Sequence, residues 1–138
     1  MKLSIKMKKI IIITSKGLRH RAFRVFLSSQ KGINVLQTIS EEGNKKLNEI
    51  SKKTNIKKLI NNPLHQHIVN REQIEKDFFN FYLRNTKDNS KNIYKKNGYS
   101  SKKVFLEKAK KLNPDLIVVY GSSIIKGEIL KLYKNKIL

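Results

Sequence analysis

Two uninterrupted apolar, β-branched runs constrain this chain more than any other feature. The first is Ile10–Ile13, and the second, near the other end of the chain, is Leu116–Tyr120, which directly follows Asp115. A strand that is apolar at every position is typically buried on both faces, as a central strand of a parallel sheet is. Parallel neighbours need a crossover connection, which is usually a helix. The two runs therefore predict an α/β domain.

The segments between these runs alternate between helical and strand patterns. Residues 19–30 repeat apolar side chains at helical spacing, and Gly32 follows as a helix-ending glycine. Ile33–Ile39 has the composition of a second strand. The first part of the chain is therefore predicted to be a β-α-β unit with parallel strands.

Further along, helical spacing predicts three more helices, over 70–84, 100–112 and 126–134. Asn70 is the predicted cap of the first of these. Residues 85–99 are polar and rich in Lys and Asn, so we expect a loop there. Residues 40–66 have irregular apolar spacing and predict a peripheral excursion of helix and loop.

Strands that alternate with helices predict an open, mostly parallel, Rossmann-like α/β sheet with flanking helices. We expect one domain over 7–138, preceded by a loose extension over 1–6. The sequence ends at Lys136–Leu138, which has the pattern of the beginning of another strand. We therefore expect the domain to be truncated and its open sheet edge to be prone to self-association.

The formal charge of +21 is a weak guide to function. It comes from 26 Lys and only five Arg, in a chain with 18 Ile, 14 Asn and two Ala. Lys, Ile and Asn have A/T-rich codons, so an A/T-rich genome produces this profile without selection for a partner. The lysines are scattered, whereas specific base readout usually needs Arg. We expect no specific nucleic-acid partner, and a basic module that binds nucleic acid non-specifically is the alternative function.

Several classes of protein are excluded by what the sequence lacks. With no cysteine, disulfides, thiolate metal sites and cysteine nucleophiles are ruled out. No apolar run approaches the ~18 residues that a membrane-spanning helix needs. No signal peptide is recognisable, so the sequence predicts a cytoplasmic protein without a membrane partner.

The loop after the first strand carries Ser15, Arg19 and His20. Ligands of doubly wound sheets bind outside the carboxyl ends of the strands, and the N-terminus of the following helix favours an anion. The G-x-G-x-x-G fingerprint is absent, so the usual dinucleotide site is not expected, although an unrelated Rossmann-like nucleotide binder stays open. The simpler interpretation is that Arg19 and His20 only cap and solvate the helix.

Two other groups of residues are candidates for chemical sites. His65 and His67 form the one close histidine pair, but a catalytic zinc needs three protein ligands and no third is nearby, so we expect no metal. Ser122 and Ser123 follow the second apolar strand without a G-x-S-x-G elbow. The glycine before them predicts a pocket wall made of backbone, not a catalytic serine.

Asn113–Gly121 followed by Ile124–Leu130 resembles the central segment of the formyltransferase family. This family includes methionyl-tRNA formyltransferase, glycinamide ribonucleotide transformylase and the sugar N-formyltransferases. Lys9–Phe23 and the pattern His67-x-x-x-Arg71-x-x-x-Glu75-x-x-Phe78-Phe79 resemble the sugar-modifying branch. The resemblance spans most of 7–138. It implies transfer of a formyl group from 10-formyltetrahydrofolate to an amine acceptor, for instance on a nucleotide-linked sugar.

The resemblance also implies which parts of the site this chain supplies. In relatives, Asn-x-His-x-Gly follows a Lys-Ile-Leu strand, and the family's catalytic groups are that Asn, that His and a later Asp. This sequence stops at Lys136–Leu138, where the Asn would come next. We therefore assign no catalytic residue and expect the chain alone to be inactive.

What the resemblance carries over is the wall of the pocket. Five residues match the loop that contacts the pterin ring of 10-formyltetrahydrofolate: Gly121, Ser122, Ser123, Ile124 and Ile125. Ser15, Arg19 and His20 match the first loop, which faces the amine acceptor in the sugar branch.

Overall fold

The structure, a computed structural model, describes residues 6–43 and 63–138. They form a Rossmann-like α/β fold, as predicted: an open, four-stranded, all-parallel sheet with helices on both faces. In chain order the elements are β1 (Lys8–Ser15), α1 (Leu18–Ser28), β2 (Ile33–Glu41), α2 (Pro63–Asn85), β3 (Asn92–Lys95), a 3₁₀ helix (Tyr99–Ser101), α3 (Lys103–Leu112), β4 (Leu116–Tyr120) and α4 (Glu128–Leu132).

The strands lie in the order β3-β2-β1-β4, so the strand order reverses between β1 and β4. Because all four strands are parallel, their carboxyl ends meet at one edge of the sheet. The Thr14 hydroxyl joins two of these ends by donating a 2.8 Å hydrogen bond to the Tyr120 carbonyl. The loops after β1 and β4 therefore flank the reversal point, where open α/β sheets bind their ligands.

Both faces of β1 are covered, as its continuous apolar run predicts. Ile10 and Ile12 pack on one side with Val35 and, from α1, Phe23 and Leu27. On the other side lies a larger cluster, which β1, β2, α3, β4 and α4 supply: Ile11, Ile13, Ile39, Phe105, Leu106, Ala109, Ile117 and Ile129. A side chain of this size contributes about 1.5–3 kcal/mol when fully buried, so these two layers are the main source of stability.

The predicted loop over 85–99 is wrong in its middle, because β3 lies there and forms an edge of the sheet. Only Ile93 of its four residues packs against the core. The Ser40 hydroxyl donates a 2.6 Å hydrogen bond to the Asn92 side chain, which ties β3 to β2 through polar groups. A four-residue polar strand has too little apolar alternation to be recognised in the sequence.

An ion pair between a buried arginine and a partly exposed aspartate anchors the chain just before β3. Arg24 of α1 is 4% exposed, and its guanidinium donates to the Asp88 carboxylate and to the Ser90 hydroxyl. Burial alone would raise the pKa of Asp88, but hydrogen bonds from Ser90 and the nearby Arg24 charge lower it overall. The start of the edge strand is therefore fixed to the first helix by charge.

The helix predicted over 70–84 begins earlier, at Pro63, so Asn70 is an interior residue and not a cap. Proline suits the first turn of a helix because the backbone N–H that it lacks has no partner within the helix there. Ile74, Phe78 and Phe81 repeat at helical spacing along this helix and are exposed.

The last residues add to the sheet beside β4. Ile117 and Ile137 form a parallel bridge, and the Ile117 and Leu138 backbone amides donate to the carbonyls of Lys136 and Ile117 at 2.7 and 2.9 Å. This agrees with the strand-like pattern at 136–138. The extension predicted over 1–6 lies outside the described residues except for Lys6, and so does most of the excursion predicted over 40–66. Across the described parts of the chain, no helix has the length and apolar character needed to cross a membrane.

Candidate functional site

A cavity of about 680 Å³ opens at the carboxyl edge of the sheet, beside the point where the strand order reverses. β1 and β2 contribute Ser15 and Glu41 to its wall, and the segment after β4 contributes Gly121 and the residues that follow it. The turn before the 3₁₀ helix also contributes to the wall. The remaining residues that line the cavity are Glu42, Gly43, Asn97, Gly98, Ser101, Ser122, Ser123, Ile124 and Lys126. Cavities of ~300–1,000 Å³ are typical of small-molecule sites.

Glu41 is a buried carboxylate in the wall of this cavity, only 1% exposed. Its Oε1 accepts a 2.7 Å hydrogen bond from the Ser100 backbone N–H, and its Oε2 accepts from the Gly98 N–H at 3.3 Å. The Ser123 hydroxyl donates to the same Oε2. One side chain therefore joins the end of β2, the 3₁₀ helix and the loop after β4.

These hydrogen bonds keep Glu41 ionised. Burial alone would raise the pKa of the Glu41 carboxyl, but donation from Ser123, Ser100 and Gly98 outweighs burial and lowers that pKa below its usual value. A carboxylate with several donors is more stable charged than protonated. The cavity therefore has a fixed negative charge in its wall, inside a chain of net charge +21.

His20 connects the two loops that flank the reversal point. Its imidazole packs against the Tyr120 ring, with 5.1 Å between centroids. A Cβ added to Gly121 would lie 2.3 Å from the His20 Nε2 atom, and one added to Gly17 would lie 2.8 Å from Nδ1. The imidazole thus fits between two glycines, one in each loop. Its buried Nδ1 atom has no hydrogen-bond partner among the residues that the structure describes.

The imidazole of His20 is disfavoured in its charged form. Burial is the main cause that lowers its pKa from 6.5; the nearby Arg19 charge lowers it further, and Glu75 opposes the change. We expect an NMR titration to give a His20 pKa below 6.5 and Arg19→Gln to raise it. Arg84 is an exposed residue near the end of α2, nine residues after Glu75. Arg84→Gln is therefore the matched control and should leave the His20 titration unchanged. A His20 pKa at or above 6.5 in the wild type would contradict the burial of the imidazole beside the Arg19 charge.

The structure divides the predicted site residues between four places. Ser15 and four of the five predicted cofactor residues, Gly121–Ile124, line the cavity, while Ile125 packs against the apolar core. Arg19 lines a second concavity, described below, and His20 lies beneath Gly121. Helix α1 begins after Gly17, and no side chain caps its first turn. The simpler interpretation, in which Arg19 and His20 cap this helix, is therefore wrong about the cap.

The second concavity is a groove of about 650 Å³ between α1 and α2, and it is mainly aromatic. At one end the Arg19 guanidinium lies 3.8 Å from the Glu75 carboxylate, which also lies 3.6 Å from Arg71. The rest of the wall comprises Ala22, Phe23, Phe26, Phe78, Phe79, Tyr82 and Tyr120. Tyr120 belongs to the end of β4, so the groove reaches the same edge of the sheet as the cavity.

The other candidate chemical groups are the histidine pair His65 and His67 and the serines Ser122 and Ser123. Within residues 6–43 and 63–138, no group of three or more histidine, aspartate or glutamate side chains is arranged to hold a metal ion. His65 and His67 both belong to α2 and not to a strand. Ser123 donates to Glu41 and Ser122 to a neighbouring carbonyl, so each hydroxyl has a structural partner.

Glu41 is the functional candidate that sequence reasoning missed. It lies at the end of β2, two residues past the predicted strand boundary at Ile39, and it looks like an ordinary polar residue after a strand. Its burial depends on Ser100 and Ser123, which are distant in sequence. The sequence feature that could have pointed to Glu41 is the Ser40-Glu41-Glu42 segment, where two of only ten acidic residues in the chain lie at the end of a strand.

The fold and the site together define a class: Rossmann-like α/β proteins with a ligand-sized cavity at the point where the strand order reverses. Comparison of the chain with family models, curated proteins and solved structures found no significant match.

Proposed function

We propose that this chain forms the cofactor-binding part of a formyltransferase-like domain that takes 10-formyltetrahydrofolate as formyl donor and an amine as acceptor. One observation carries the proposal. The residues that match the family's pterin-contacting loop, Gly121–Ile124, line a cavity of about 680 Å³ at the carboxyl edge of the sheet. A pterin needs a cavity of this kind, with apolar contact and backbone groups nearby.

The arrangement of the two loops supports the same assignment. Ser15, matched to the acceptor-facing loop, lines the cavity together with the matched cofactor loop, and His20 touches both loops through Gly17 and Gly121. Donor and acceptor must meet in one place for group transfer. The two loops that would hold them are in direct contact here.

In the proposed reaction the acceptor nitrogen attacks the formyl carbon. A new C–N bond forms, the bond from that carbon to the folate N10 breaks, and the proton that the acceptor loses goes to N10. The family uses Asn and His to stabilise the oxyanion and Asp to move the proton. The sequence printed here contains no Asn-x-His-x-Gly, so we expect this chain to bind reduced folate without transferring its formyl group.

The direct test is calorimetric titration of the 138-residue chain with 5-formyltetrahydrofolate, a stable reduced folate. We expect saturable binding with one site per chain. Ile124 is 79% exposed on the cavity wall, so Ile124→Asp should weaken binding about tenfold or more without unfolding the chain, because it places a charge beside an apolar ring. Val104→Asp is the matched control, because Val104 is exposed on α3 and is not one of the residues that line the cavity.

Titrations of the same chain with other ligands distinguish the competing functions. Saturable binding of a dinucleotide without folate binding would favour an unrelated nucleotide binder and contradict the proposal. Binding to duplexes of unrelated sequence that is equal and falls steeply with salt would show electrostatic attraction alone. A base-sequence preference at physiological salt would favour the basic nucleic-acid module over the proposal. Formyl transfer by the purified chain would contradict the expectation that it is inactive alone.

A further inference from the structure

The outer face of α2 carries an apolar stripe that no described part of the chain covers. Ile74, Phe78 and Phe81 lie at helical spacing, and each side chain is about two-thirds or more exposed, at 67%, 69% and 74%. The adjacent face of the helix faces α1 through Glu75, Phe79 and Tyr82, and Phe78 lies at the boundary, where it also borders the groove between α1 and α2. Exposed aromatic patches of this kind on a monomer usually mark an interaction site.

The charge of α2 indicates which partner this stripe can accept. The chain as a whole has a charge of +21, yet α2 has three basic and three acidic side chains: Arg71, Lys76, Arg84, Glu72, Glu75 and Asp77. A helix without net charge can approach its own copy, although the rest of the surface is strongly basic. An acidic partner would instead select a basic surface, which this helix is not.

The positions of two of these charges specify how the copies would meet. Asp77 and Arg84 are seven residues apart, so they lie on the same flank of the stripe, two turns from each other. No carboxylate among the described residues pairs with Arg84, and the hydrogen bond that Asp77 makes is from the neutral Gln73 side chain at 3.1 Å. Each is available to a charge of opposite sign.

We propose that the chain self-associates through α2 as an antiparallel, two-fold symmetric pair. Phe78 of one copy packs against Phe81 of the other, and Asp77 of each copy faces Arg84 of its partner. An isologous pairing of this kind repeats every contact twice. The helix has 23 residues, about 34 Å at ~1.5 Å per residue, so the apolar stripe and both ion pairs fit within its length. This proposal does not depend on folate binding.

Sedimentation equilibrium on the full chain tests the pairing. We expect a monomer–dimer equilibrium that Phe78→Asp abolishes. Asp77→Arg and Arg84→Asp should each weaken the dimer about tenfold or more, since each replaces two attractions by two repulsions. An equimolar mixture of these two variants should dimerise again, because both contacts of the mixed pair then join a basic side chain of one variant to an acidic side chain of the other.

A control variant and the charge variants together distinguish pairing through α2 from association through another surface, such as the sheet edge. Val104→Asp, which removes an exposed apolar side chain on α3, should leave the dimer constant unchanged, and circular dichroism should show native helix content in every variant. A wild type that stays monomeric at all concentrations would overturn the proposal. Association that ignores the charge variants would overturn it as well and would indicate the sheet edge instead.

Discussion

Replacing Glu41 by alanine is expected to lower the free energy of unfolding by about 3 kcal/mol. The substitution leaves the Ser100 and Gly98 N–H groups and the Ser123 hydroxyl without the carboxylate to which they donate. An unsatisfied buried donor costs roughly 1–3 kcal/mol, and partners of a charged group are at the upper end. Since a domain of this size is stable by ~5–15 kcal/mol, the loss is a large fraction of the total.

Urea denaturation of the wild type and Glu41→Ala measures this effect, with Glu107→Ala as the control. Glu107 is exposed and, within the described residues, pairs with Lys110 of the same helix alone, so its removal should change stability by less than ~0.5 kcal/mol. An equally small loss for Glu41→Ala would show that the carboxylate does not join the three segments.

The Glu41 contribution should also depend on pH in a defined direction. Because the native pKa of the Glu41 carboxyl lies below its ordinary value of 4.5, the unfolded chain takes up the proton first as the pH falls. The stabilisation is complete above pH 4.5 and is lost as the pH drops through the lower, native pKa. Glu41→Gln should lack this acid-sensitive part of the stability curve, whereas Glu107→Gln should retain it.

The second large effect is expected for Gly121→Ala. Its backbone has φ of +65°, a region that L-residues other than glycine seldom adopt, and the new Cβ would lie 2.3 Å from the His20 Nε2 atom. The backbone cost is about 1–2 kcal/mol and the clash adds about 1–3 kcal/mol. We expect a loss of about 3 kcal/mol in stability and weaker folate binding, because the loop moves away from the cavity.

A double-mutant cycle with His20→Ala separates the two causes. The double variant His20→Ala/Gly121→Ala should recover the part that the clash contributes and keep the backbone cost. Gly17 has an ordinary φ of −59°, so in the matched pair His20→Ala should remove nearly the whole cost of Gly17→Ala. Coupling energies near zero in both cycles would contradict the placement of the imidazole between the glycines.

The sheet could be predicted from the sequence because its central strands are apolar at every position. Ile10–Ile13 and Leu116–Tyr120 needed no tertiary information, and helix α1 followed from its spacing. β3 could not be predicted, since a polar edge strand is held by hydrogen bonds to β2 and not by burial. The start of α2 could not be placed either, because Pro63 suits a helix break as well as a first turn.

The candidate site was only partly accessible to sequence reasoning for a similar reason. Residues that follow an apolar strand must lie at the carboxyl edge, so Ser15 and Gly121–Ser123 could be placed there. Glu41 and the position of His20 depend on contacts between residues far apart in sequence. Such contacts are decided by how the strands are ordered, and the order became known only with the structure.

The fit of His20 between Gly17 and Gly121 restricts the order in which these three positions can change during evolution. While histidine occupies position 20, any side chain larger than glycine at 17 or 121 is selected against. If a smaller residue replaces His20 first, the two glycines become free to vary, Gly17 more than Gly121. Once either has gained a side chain, a return to histidine is disfavoured, because the imidazole would have to shift. Related sequences should therefore show histidine at position 20 only together with both glycines.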